Sequence, residues 1–135
     1  MSKNGDLYSR WLRAAADDIE SAEWNLKGGF HHQVCFMCRQ SAEKALKAFL
    51  YLQGEREAWG HSTEQLCRLC ANYNASLGKW SDDLKKLDRF YIPTRYPNGV
   101  PSGTPRENYT KGDSEFALKI SREIIAEIES FMGVK

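Results

Sequence analysis

All four prolines of this 135-residue chain, Pro93, Pro97, Pro101 and Pro105, fall between Ile92 and Gly112, together with Gly99 and Gly103. Proline has no amide hydrogen to give and its ring clashes with the preceding turn, so this stretch forbids a long helix or a central strand. A loop of such length inside a compact domain is usually functional or disordered. Outside it the apolar residues recur at steps of three and four, the period of an amphipathic helix.

Tyr8, Leu12, Ala15, Ile19, Ala22 and Leu26 predict a first helix of about five turns, ended by Gly28-Gly29. A second runs from about Phe30 to Gln53, with Val34, Cys38, Ala42, Ala45, Phe49 and Leu52 inward and Gly54 closing it. Ser62 and Gln65 have capping-box spacing and open a third helix whose expected buried stripe is Leu66, Leu69, Cys70, Tyr73 and Leu77. Ser81 is the expected N-cap of a fourth, Asp82 to about Tyr91, with acidic residues where the helix dipole favours them. A last helix is expected from Asp113 or Ser114, lined by Phe116, Ile120, Ile124, Ile128 and Phe131. The sum is an all-α, up-and-down bundle of four or five helices in one domain, residues 1–135, with a long Pro/Gly-rich loop before the last helix.

Composition narrows the function classes. A net charge of +1 gives no bulk preference for nucleic acid or membrane, so any such binding must come from a local patch. No apolar run approaches the roughly 20 residues of a membrane span, and Met1 to Asp6 lacks the apolar stretch of a secretory signal. A cytoplasmic protein with no membrane association is expected, and four cysteines outside a disulfide-dense framework agree with a reducing compartment.

Four groups of residues carry chemistry. Cys35-x-x-Cys38 and Cys67-x-x-Cys70 have the spacing of zinc-ligand pairs, but Cys35, Cys38 and Cys70 fall on the buried arcs of their helices, where cysteine packs as a small hydrophobe; no metal or other cofactor is expected. Phe36, Gln40, Glu43, Lys44, Lys47 and Tyr51 form the outward face of the second helix; two aromatic rings there fit an interface or stacking platform better than plain surface. Tyr91, Arg95, Tyr96 and Pro97 make a stiff, aromatic, cationic loop in which arginine can grip phosphate and the rings can stack on a base; a structural plug is the alternative. Arg56 and His61, with four residues between them, could orient phosphate and move a proton. His31-His32 is expected in a surface turn.

Taken together, these residues resemble the HEPN family (higher eukaryotes and prokaryotes nucleotide-binding domain) over nearly the whole chain. The resemblance rests on Trp11 and the run Ala14 to Asp18, on Gly29-Phe30, on Cys38 to Ala48 with its Gln-x-x-Glu-Lys-x-x-Lys core, on His61-Ser62, on Leu87 and Tyr91, and on Thr94-Arg-Tyr-Pro97. It implies an all-α bundle that commonly forms a homodimer, nucleotide binding, and for many members a partner nucleotidyltransferase in a toxin–antitoxin pair. A large group are metal-independent ribonucleases with Arg and, four to six residues later, His near the last helix. This chain has no histidine after Arg95, and its Arg56–His61 pair lies between the second and third helices.

The expectation is a nucleotide- or RNA-binding protein that works with a nucleotidyltransferase. Gln40, Lys44, Lys47, Tyr91, Arg95, Tyr96 and Tyr109 are the binding candidates, with Lys47 and Arg95 neutralising phosphate. The rivals are a metal-independent ribonuclease using Arg95, Arg56 or His61, and a non-catalytic module that binds another protein.

Overall fold

The computed structural model describes residues 3–58, 62–91 and 94–131. They form six α-helices: α1 (Lys3–Lys27), α2 (His31–Leu52), α3 (Thr63–Tyr73), α4 (Ser81–Asp88), α5 (Pro105–Asn108) and α6 (Lys111–Phe131). Short 3₁₀ turns lie at Ala75–Trp80 and Pro97–Gly99, and no strand occurs among the described residues.

Gly29 and Gly54 end the two long helices as expected. Both have positive φ, which glycine adopts without a Cβ penalty. The amides that follow them, those of Phe30 and Glu55, reach back to the carbonyls of Asn25 and Leu50. The connection between α1 and α2 is only three residues long, so the helices run antiparallel. The pairs Trp11–Tyr51, Lys44–Asp18 and Asn25–Met37 follow opposite orders along the two helices and confirm it. Helix α2 is the centre of the molecule, packing on α1, α3 and α6. Its fully buried Val34, Ala42, Ala45 and Leu46 meet Ile124 and Ile128 of α6 and Leu66 of α3 in one core.

Several boundaries and faces differ from the sequence expectation. Ser62 caps α3 through its side chain as expected, accepting the Gln65 amide. Ser81, by contrast, is already helical, because the chain enters α4 directly from the 3₁₀ turn; that turn is started by Asn74, whose carboxamide oxygen accepts the Ser76 amide. Helix α4 ends at Asp88, short of Tyr91. Helix α6 starts at Lys111, with Thr110 and Asp113 capping each other's backbone amides. Leu69 and Tyr73 are exposed, not part of the buried stripe; Tyr73 instead hydrogen-bonds Glu55 in the loop after α2. His31 and His32 open α2 and are half-buried, with His31 Nδ1 2.8 Å from Ser114 Oγ. No helix among the described residues is long and apolar enough to cross a membrane.

Candidate functional site

The end of α4 sets the geometry of the site. Asp88 accepts the amides of Thr63 and Glu64 (2.9 and 3.1 Å) and the Thr63 hydroxyl (2.8 Å), so it caps α3 from another helix. The same carboxylate accepts Nε of Arg39 at 3.3 Å. Arg39 is 2% exposed, and a guanidinium so buried needs charged partners. It finds a second one a turn along α2, donating Nη1 to Glu43 at 2.6 Å and to Gln40 Oε1 at 2.9 Å. Glu43 in turn accepts Lys47 at 2.8 Å.

Beyond Asp88 the backbone turns three times, through the amides of Arg89, Phe90 and Tyr91. This lays the Tyr91 ring on Arg39, with the guanidinium 4.5 Å from its centroid, and stacks it against Phe36 at 6.3 Å and 29°. Thr94 anchors the chain again: it is buried and its hydroxyl donates to the Phe90 carbonyl. Arg95 leaves that anchor exposed. Its guanidinium lies 5.1 Å from the Phe36 centroid, 5.4 Å from Tyr91 and 5.1 Å from Tyr96, and Nη2 donates to the Tyr96 hydroxyl at 3.1 Å. Tyr91 and Tyr96 keep 38% and 46% of their surface open, which leaves ring faces for a ligand.

The structure therefore gathers Tyr91, Arg95 and Tyr96 beside Phe36 in a lane along α2. Gln40 touches this cluster through Arg39, whose guanidinium it accepts, and Lys47 lies about two turns further along the helix with Glu43 and Trp11. The face is half-buried, not outward as the helical wheel implied: Tyr91 covers one end and Trp11, 5.4 Å from the Lys47 ammonium, covers the other. The charges on α2 are also spent. Lys47 is 16% exposed and held by Glu43, and Lys44 turns to α1, where Asp18 takes it at 2.8 Å. Among the described residues no carboxylate pairs with Arg95.

Two candidates lie elsewhere. Tyr109 packs edge-on against Phe90, 5.5 Å away, and burial beside Cys35 and Asp113 pushes its phenol up to about 12, so it serves the core edge. Arg56 is exposed in the loop after α2, beside a depression lined by Glu55, Glu57 and Tyr73, while His61 lies outside the described residues. The four cysteines are buried. Cys67 and Cys70 donate to the carbonyls of Leu77 and Leu46, and burial raises the Cys67 thiol to about 11 and that of Cys38 to about 12.

Sequence reasoning missed Arg39 and Asp88. The available signal was Arg39's place four residues before Glu43, on an arc flanked by Cys38 and Ala42, where a charge demands a partner.

A helical bundle of this topology defines a class, and the chain belongs to it: the HEPN domain family, whose model matches residues 8–131. The protein TT1696 from Thermus thermophilus is 33% identical, with a TM-score of 0.81 over 91% of this chain and 96% of that one. ST0689, an archaeal HEPN homologue, is 31% identical, with a TM-score of 0.76 over 93% of this chain and 97% of its own. A relative from Methanocaldococcus jannaschii named "Putative toxin MJ1304" is 26% identical, over 93% of this chain and 88% of the relative.

Proposed function

We propose that this HEPN protein binds a nucleotide or RNA at the Arg95 cluster and acts in a toxin–antitoxin-type pair with a nucleotidyltransferase. One observation carries the binding reading: an exposed guanidinium without a carboxylate partner among the described residues, ringed by Phe36, Tyr91 and Tyr96. Arginine presents a fork of donors that matches a phosphate, and open aromatic faces accept a base by stacking, at roughly 1–3 kcal/mol per base. Arg95 takes the phosphate, Tyr91 or Tyr96 takes the base, and Gln40 lines the lane beside them. The toxin–antitoxin context draws on the name of the Methanocaldococcus jannaschii relative and on the family.

Calorimetry with AMP and short oligoadenylate tests the binding. Replacing Arg95 and Tyr96 together with alanine should abolish the heat of binding while circular dichroism keeps its helical signal. Undiminished binding by that variant removes the cluster from the site. For the partner, the proposal expects a nucleotidyltransferase reading frame beside the gene and a stable complex of the two coexpressed proteins on size exclusion; separate elution contradicts the pairing.

A further inference from the structure

The charges of the lane say what kind of ligand it can hold. Each cation that α2 contributes already has a carboxylate: Arg39 has Glu43 and Asp88 at 2.6 and 3.3 Å, Lys44 has Asp18 at 2.8 Å, and Lys47 has Glu43 at 2.8 Å. Three cations thus face three carboxylates, Asp18, Glu43 and Asp88, and the α2 side of the lane is electrically balanced. Arg95 adds the uncompensated positive charge, and it sits among rings, not among other cations.

A polyphosphate chain needs several cations or a metal to neutralise it; a single phosphate needs one guanidinium. Stacking surface is what the site has in excess, with Tyr91 and Tyr96 both partly open beside the guanidinium. Resting on the nucleotide reading above, we infer that the Arg95 site holds one phosphate next to one unpaired base, purine in preference to pyrimidine, and gains nothing from a β- or γ-phosphate. A nucleoside monophosphate and an internal phosphate of single-stranded RNA both offer that chemistry.

The test is calorimetry at fixed salt with AMP, ADP, ATP, UMP and the trinucleotide of adenylate. AMP, ADP and ATP should agree within about 3-fold, because the cations of α2 beside the site are already paired with carboxylates, and AMP should bind at least about 5-fold more tightly than UMP, because the purine stacks over a larger area. A charge-neutral double variant, Asp18→Asn with Lys44→Met, should keep AMP affinity within about 3-fold, since that pair, 2.8 Å apart, is already closed on itself. Arg95→Ala should lose at least about 10-fold. If the trinucleotide binds much more tightly than AMP, the natural source is RNA; equal binding points to the free nucleotide, and either result agrees with the single-phosphate site. ATP binding about 10-fold or more above AMP would overturn the inference and point to a second cation, with Arg89 of the same turn the first to replace, while leaving nucleotide binding itself intact. Failure of every probe to bind would sink the underlying reading as well.

Discussion

Replacing Asp88 with alanine removes a single carboxylate on which three helices converge. Two amides at the N-terminus of α3 lose their acceptor, and losses of that kind cost about 1–2 kcal/mol. Arg39 loses one of the two carboxylates that hold it among the described residues while 2% exposed. Removing one member of a buried ion pair costs about 3–5 kcal/mol when the other is left uncompensated; Glu43 remains, so roughly half of that applies. The total is about 3–4 kcal/mol, a large part of the roughly 5–15 kcal/mol typical of a domain. At this size it corresponds to roughly 10–15 °C in Tm. Urea unfolding followed by circular dichroism reads it directly, as a lower midpoint at constant m-value. Asp88→Asn keeps one acceptor oxygen, enough for the Thr63 amide and hydroxyl, but loses the charge and turns the second oxygen, which accepts the Glu64 amide, into a donor. It should therefore cost less than the alanine variant without restoring the cap. A loss below about 1 kcal/mol for the alanine variant would refute the claim that Asp88 ties α2, α3 and α4 together.

The corrected face of α3 makes a paired prediction: Leu66→Ala should cost about 2–5 kcal/mol and Leu69→Ala under about 1 kcal/mol, compared by thermal melts. Equal costs would restore Leu69 to the core. Burial, then the neighbouring Arg106 and His31, lower the proton affinity of His32 below the ordinary histidine value. The unfolded chain therefore binds the proton more readily, so stability should be full above about pH 6.5 and decline as pH falls below it. His32→Gln should flatten Tm between about pH 7 and 5, and an unchanged slope would assign the acid sensitivity to other groups.

The helical plan was legible because it depends on period alone. The 3.6-residue recurrence in α1, α2 and α6, the Gly28-Gly29 and Gly54 stops and the Ser62 cap all survive in the structure. What failed depended on neighbours. Leu69 and Tyr73 have helical spacing with Leu66, yet α3 has only 11 residues and its far edge faces the loop after α2, where the Tyr73 hydroxyl finds Glu55. The site was half legible for the same reason. Arg95, Tyr91 and Tyr96 announce themselves by type within a stiff loop, and they do gather with Phe36 and the Gln40 stripe. Lys44 and Lys47 read as open cations because a helical wheel does not show which carboxylates lie opposite; Asp18 lies 26 positions before Lys44 in sequence. Arg39 was invisible because an arginine on an amphipathic helix is normally solvated, and only the fold places Asp88 over it.

Titrating isotope-labelled protein with AMP while following its backbone amide and aromatic ring resonances confronts the binding claim most directly. The cluster predicts saturable shifts at Phe36, Tyr91, Arg95 and Tyr96, with the groove that Lys79, Trp80, Glu127 and Phe131 line, where Lys79 pairs with Glu127 at 2.6 Å, silent. Shifts centred on the Lys79 groove or on the Glu55–Tyr73 depression, or no shift at millimolar nucleotide, would contradict it.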